Sequence, residues 1–175
     1  AHGNFRLMAG WTRWLWGGLD WGMFGPIGGI MGYALGSMSE NTQGFHSSYR
    51  GYSGGAPTQA GDFGAAMLIL FAAVMKADHE LKKTELEFVK EFFVQQFNIQ
   101  YAKDRMRLFR EILKQDVPLK DVCFQIKTNM DHPSRLQMIH ILFGLSQADG
   151  HVHPLEAKVI HTIAGYMGIS SKDFD

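Results

Sequence analysis

The chain has 175 residues, enough for one hydrophobic core with an additional arm at about one domain per 100 to 200 residues. Its 17 Lys and Arg balance 17 Asp and Glu, which removes any whole-molecule attraction to nucleic acid. A lone cysteine, Cys123, rules out an internal disulfide and a thiolate zinc site and fits a reducing compartment.

Residues 1–7 carry no usable pattern, and Met8-Ala9-Gly10 reads as a natural start, so they are set aside from fold reasoning. From Trp11 to Met38 the composition turns to Trp, Gly and aliphatic residues, with no charge in the 18 positions from Trp21 to Met38. As a helix that segment reaches roughly 27 Å, just short of the ~30 Å hydrocarbon layer of a bilayer. Glycines recur every fourth position at Gly18 and Gly22, Gly25 and Gly29, and Gly28, Gly32 and Gly36, a spacing that lets helices approach closely in lipid. Pro26 and so much glycine weaken a helix, and Asp20 is costly in hydrocarbon. Two readings stand side by side: a membrane anchor, and an arm that folds on the body or on another subunit. Ser39 to Gly61, rich in Ser, Gly, Thr and Gln, reads as a tether.

The body begins near Asp62, a predicted N-cap, followed by an unbroken apolar run of 11 from Ala65 to Met75 that suits a helix buried on most sides. Thr84 with Glu87 forms a predicted capping box, after which Leu86, Val89, Phe92, Phe93 and Phe97 keep helical spacing. Tyr101 to Lys114 predicts a third amphipathic helix with Met106, Phe109, Ile112 and Leu113 inward. Its outer side carries Lys103, Arg107, Arg110 and Lys114, a stripe that suits a solvated face, anionic lipid or an acidic partner. Pro118 opens a short helix with Val122, Cys123, Ile126 and Met130 inward, Cys123 being a small core residue. After a turn at Asp131-His132-Pro133, Leu136, Ile139, His140, Phe143 and Leu145 line a second central helix, with His140 expected to pack or cap. Pro154 then opens a helix with Val159, Ile160, Ile163 and Met167 inward and Gly168 as its stop. Ser170-Ser171-Lys172-Asp173 resembles the start of one more helix, as if the chain belonged to a longer protein.

With no strand alternation, the body reads as all-α, six or seven helices. Its organisation follows an internal repeat. Shifting the number by 71, from 78 to 149, lays Ala77 on Ala148, Asp78 on Asp149, Glu85 on Glu156 and Phe88 on Val159. Each copy reads as two helices joined by a tight turn, with Asp closing the first helix and Glu opening the second. A carboxylate at a helix N-terminus accounts for each Glu; each Asp needs another reason. Packed about a pseudo-twofold axis, the copies would bring Asp78, Glu85, Asp149 and Glu156 into one acidic cluster or two smaller ones. Oxygen ligands of that kind suit calcium, magnesium or manganese, whereas the bland alternative has each Asp capping a turn and each Glu capping a helix. The spacing is not that of an EF-hand loop. His151, His153, Glu156 and His161 offer a weaker zinc set, without a His-Glu-x-x-His helix. No Ser or Cys is paired with a base, and no phosphate-binding loop precedes a Lys-Ser or Lys-Thr, so the reading is non-enzymatic.

The repeated motif, Lys76-Ala77-Asp78 to Glu85 and Gln147-Ala148-Asp149-Gly150 to Glu156, resembles the TerB-like domain of tellurite-resistance proteins, also found in membrane-anchored DnaJ-like co-chaperones of the DjlA type. The glycine-rich segment Gly22 to Gly36, the polar tether and Met75-Lys76-Ala77-Asp78 are similar to the DjlA arrangement. The resemblance covers roughly Asp62 to Ser170. It implies an all-helical domain with an acidic, cation-binding site, held at the bacterial inner membrane and facing the cytoplasm. In that family a C-terminal J domain recruits Hsp70 through a His-Pro-Asp loop, which this chain lacks: Asp131-His132-Pro133-Ser134 has the wrong order and His153-Pro154-Leu155 lacks the acid. His79 in place of Gly150 makes the first turn a poorer host for positive φ.

The chain is therefore expected to divide into a glycine-rich arm at 1–38, capable of self-association, a linker at 39–61, a TerB-like domain at 62–170 and the start of an extension at 171–175. The expected function is the anchor and regulatory part of a co-chaperone whose Hsp70-binding J domain lies outside this chain. The alternative is a free-standing, cytoplasmic TerB-like protein answering tellurite or metal stress.

Overall fold

The computed structural model describes residues 25–39, 59–96 and 99–173. Within them the chain forms seven α-helices: α1 Gly25–Ser39, α2 Gln59–Met75, α3 Lys83–Gln96, α4 Ile99–Leu113, α5 Leu119–Asn129, α6 His132–Ser146 and α7 Pro154–Tyr166, followed by one 3₁₀ turn at Ser171–Asp173. There is no strand among the described residues, in keeping with the all-α reading.

The apolar run at Ala65–Met75 dictates the architecture. A helix that is apolar all round has no face to give to water, so it must be enclosed by others. From Ala65 to Met75 every residue of α2 except Ala73 is buried, and α2 touches each of the other six helices. Phe71 lies at its centre, met edge-on by Phe88, Phe92 and Phe93 of α3 at ring-centroid distances of 6.2, 5.4 and 6.4 Å. Edge-to-face packing of this kind adds to area burial because ring edges are positive and faces negative. Phe92 and Phe93 are core, as their spacing predicts, while Phe97 lies outside the described residues.

Two cations, Lys76 and Arg135, close helix ends instead of pairing with acids. Lys76 donates from Nζ to the carbonyl of Gln115, just after α4. Arg135 donates from Nε to the Met130 carbonyl at the end of α5 (3.1 Å) and from Nη1 to the Met167 carbonyl at the end of α7. Carbonyls in the last turn have no partner within their own helix and carry the negative end of its dipole. Lys127 lies beside Gly168, whose φ of +71° is the left-handed stop expected of that glycine.

Several boundaries and placements differ from the sequence reading. Asp62 is the fourth residue of α2, because the helix already begins at Gln59. Thr84 is the second residue of α3, which begins at Lys83, and so lies inside the first turn it was expected to cap. His140 is exposed rather than packed, since the buried face of α6 is formed by Met138, Ile139, Leu142 and Leu145. Where a further helix was expected to start, Ser171–Asp173 forms a 3₁₀ turn, fastened by Asp173 Oδ2, which accepts from the Ser170 N–H and hydroxyl at 3.1 Å each; residues 174–175 lie outside the described residues.

For residues 25–39 of the glycine-rich arm, the structure agrees with the second of the two readings, an arm folded on the body. This part is a helix, with Ile27, Ile30, Met31, Ala34 and Met38 buried against α2, α4 and α5. Two side chains from the body accept or donate to its backbone: Gln125 Oε1 takes the Ile27 N–H (3.0 Å), and Gln115 Nε2 gives to the Ile30 carbonyl (3.1 Å). Gly29, Gly32 and Gly36 point into open space. Among the described residues no helix is long and apolar enough to cross a membrane. The earlier part of the arm, and the tether at 40–58, lie outside the described residues.

Gly32→Ala is expected to raise stability by about 0.5–1 kcal/mol, because the added methyl meets nothing and the helix loses a flexible residue. Ile30→Ala should lower it by about 2–4 kcal/mol. Urea unfolding followed by circular dichroism measures both, and the opposite pair of signs would show that α1 does not dock as described.

Candidate functional site

The two hairpins coincide under the shift of 71. The helix α2 ends at Met75 and α6 at Ser146; α3 starts at Lys83 and α7 at Pro154. Their turns carry matching hydrogen bonds. The Ala77 N–H donates to Val74 O and the Ala148 N–H to Leu145 O, both at 3.1 Å; the His79 N–H donates to Lys76 O at 3.2 Å and the Gly150 N–H to Gln147 O at 2.9 Å. Both turns need a left-handed residue: Gly150 has φ +99° and His79 has φ +60°. The replacement of glycine by histidine therefore leaves the turn intact, contrary to expectation, at a cost of about 1–2 kcal/mol in backbone strain.

Each Asp now has its reason. Asp78 Oδ1 accepts the Glu80 N–H (3.1 Å) and Asp149 Oδ1 the His151 N–H (3.4 Å), so each holds its own turn through one oxygen. The second oxygens face each other's half across the ammonium of Lys82, whose Nζ is 3.4 Å from Asp78 Oδ2 and 3.5 Å from Asp149 Oδ2. The shift of 71 lays Lys82 on His153, and His153 Nε2 stands 3.9 Å from Asp78 Oδ2. The contacts Lys82 to Asp149 and His153 to Asp78 are thus the same contact made in both directions across the duplication. His153 also caps α7, its Nδ1 accepting the Leu155 N–H at 3.2 Å.

Glu85 and Glu156 each occupy the third position of their helix, but neither caps it. Both side chains turn inward and meet, with Glu85 1 % and Glu156 0 % exposed. Ser146 Oγ donates to Glu156 Oε1 (3.1 Å). Apart from each other, both oxygens of Glu85 and Oε2 of Glu156 have no hydrogen-bond partner, and Oδ2 of Asp78 has only its ion pair with Lys82 and the nearby His153. Two ionised carboxylates are both acceptors and have no hydrogen to give each other, so the pair is satisfied when one of them carries a proton. Burial, then the hydrogen bond to Glu156 and that group's charge, push the Glu85 carboxyl up to about 8. Lys82 is held above its ordinary value by Glu156, Glu85, Asp78 and Asp149, which together outweigh its own desolvation. Asp149 is held low by the His151 N–H and by Lys82.

The four acids singled out in the sequence are therefore gathered in one region, divided into two layers: Asp78 and Asp149 bridged by Lys82 at the rim, and Glu85 against Glu156 beneath. Among the described residues no three carboxylates, imidazoles or thiols are set to hold one metal ion between them. The zinc set fares no better as a group, since His151 is exposed, Glu156 is buried and His161 stacks edge-on against Phe143 at 5.8 Å. Sequence reasoning passed over Lys82 and Ser146. Lys82 was within reach of it, lying four residues after Asp78 and on the repeat position of His153.

The family description "Tellurite resistance protein TerB" matches residues 65–175, which takes in both hairpins and all four acids. The chain belongs to the TerB family. Two curated relatives, both called co-chaperone protein DjlA, are each 29 % identical to this TerB chain. The one from Vibrio parahaemolyticus matches over 129 residues, 70 % of this chain and 45 % of its own length; the one from Vibrio cholerae over 142 residues, 77 % and 49 %. The chain thus spans about half the length of these relatives. No solved structure matches.

The buried acid pair makes stability depend on pH with a definite sign. A carboxyl that keeps its proton to about 8 when folded, against an ordinary value of 4.5, leaves the native state with more bound protons than the unfolded one between those limits. Stability is then expected to fall as pH rises from about 5 to 8 and to level off beyond. Glu85→Gln, which cannot ionise, should flatten that slope and stabilise the protein at pH 8 by on the order of 2 kcal/mol. Denaturant melts at intervals of pH measure it; an unchanged slope would place the proton elsewhere.

Proposed function

We propose that this TerB chain is the regulatory portion of a DjlA-like co-chaperone, and that it works by binding rather than by catalysis. The observation that carries the reading is the joint match of the TerB family and of two DjlA co-chaperones to the stretch holding the duplicated hairpins. Hsp70 is the partner implied, reached through a J domain outside this chain, because the chain has no His-Pro-Asp loop. The inner membrane, with the domain in the cytoplasm, is the location that the DjlA resemblance implies; α1 spends its apolar face on the body.

The regulatory input we assign to the acidic site at Asp78, Glu85, Asp149 and Glu156, as a place for calcium, magnesium or manganese. What supports this is the chemistry of the donors: four carboxylates gathered in one place, two of them buried, against the single ammonium of Lys82. Hard divalent cations take oxygen ligands and reward accumulated negative charge. Zinc, which favours nitrogen and sulfur, suits the set less. An ion held there would join the two hairpins, since each contributes one Asp and one Glu. It would thereby stiffen the helical body to which a J domain is attached.

Two measurements test the reading. This chain alone is expected to leave the ATPase of a bacterial Hsp70 unchanged, whereas the same chain joined to a J domain stimulates it several-fold; stimulation by the chain alone would refute the division of labour. Titration calorimetry with calcium, magnesium and manganese chloride should give heat that disappears in the double variant Asp149→Asn, Glu156→Gln. Identical heats in both proteins would remove the cation site.

A further inference from the structure

The acidic site already holds a positive charge. Lys82 is the N-terminal neighbour of α3, and its ammonium lies between one Asp of each hairpin, at 3.4 and 3.5 Å. These distances exceed the about 2.7–2.9 Å of a tight charge-assisted hydrogen bond, so the ammonium is attracted by the site without being locked into it. One cation stands against four carboxylates. Even with one proton shared by the buried pair, the negative charge of the site exceeds the single positive charge of Lys82.

The duplication shows why only one such lysine is present. The equivalent position in the second hairpin is His153, whose ring nitrogen is 3.9 Å from Asp78 and which also caps α7 through its other nitrogen. A fixed positive charge thus enters the site from the first hairpin alone. The Lys82 side chain is 19 % exposed and that of Asp149 23 %, against 4 % for Asp78, so the side on which Lys82 lies is the one open to water. An ion arriving from solvent meets Lys82 first.

We infer that Lys82 is a tethered competitor: its ammonium occupies the cation position between the two hairpins, and a divalent ion enters only by displacing it. The inference rests on the cation reading of the acidic site and adds what controls that site. Among the described residues no three ligands converge on one point, so an ion that replaced the ammonium would have to draw the carboxylates inward to ligand distances of about 2.0–2.6 Å. Displacement frees a flexible four-carbon cation at the mouth of the site, next to exposed Leu81, so ion binding would change the charge and shape of one surface at the junction of the hairpins. Such competition also sets a threshold: the site responds only where the ion is abundant enough to outbid an ammonium that is always present.

The test is calorimetric titration of the 175-residue protein with magnesium, calcium and manganese chloride, comparing the unaltered chain with Lys82→Met and with Lys82→Met, Asp149→Asn. Removing the competitor should tighten binding of at least one ion by about tenfold or more, and the added Asp149→Asn should reverse the gain. Equal affinity in the unaltered chain and Lys82→Met overturns the competition while leaving the cation site standing. No heat in a folded Lys82→Met removes the site and the competition together. Should Lys82→Met be too unstable to titrate, its melting temperature with and without calcium chloride decides: a large rise with the ion, exceeding that of the unaltered chain, supports the inference, and no rise overturns it.

Discussion

Two glutamates facing each other in the dry interior are the constraint around which the halves of this molecule meet. Two carboxylates cannot both be charged in such a place without a partner, and breaking up a buried polar group is costlier than leaving an apolar one. The molecule meets the demand with a proton, a serine hydroxyl and the ammonium of Lys82 above. Because Glu85 belongs to α3 and Glu156 to α7, each half supplies what the other half must neutralise. Neither hairpin could bury its glutamate alone, and the junction is correspondingly specific.

Around that junction the packing is ordinary for an all-α domain, and it is organised by α2. An element without a polar face leaves its neighbours little freedom: they have to surround it, and their own amphipathic faces fix their rotation. That is why the class of fold, the buried residues of α4, α5 and α7, and the paired hairpins could all be read from residue spacing. Helix ends were less legible. Asp62 and Thr84 are good capping residues, yet the helices begin before them, because tertiary burial of α2 and the turn at Lys82 outweigh local cap chemistry. For α1 the sequence left two readings open for a physical reason. A charge-free stretch with regularly spaced glycines reads alike whether its apolar side meets lipid or protein, and it is the contacts of residues 25–39 with α2, α4 and α5 that show protein there.

The site was half visible. The repeat exposed all four acids and the convergence of the two halves, since duplicated sequence implies related positions. It did not expose how the acids divide the work. Asp and Glu look alike as charges, but the short side chain of Asp78 folds back on its own turn, while the longer one of Glu85 reaches the core. Lys82 went unnoticed because a lysine four residues from an aspartate is a common surface pair, worth little by itself. Its meaning comes from Asp149, which is distant in sequence and adjacent in space.

The left-handed backbone of His79 separates the fates of the two halves. Gly150 adopts its conformation without penalty, whereas His79 holds the matching one against its own Cβ. When the domain breathes, the first turn is therefore the one that yields sooner, with faster amide exchange around residues 76–82 than around 147–153. Of the two matching arms, the one whose turn carries backbone strain is therefore also the one that carries Lys82.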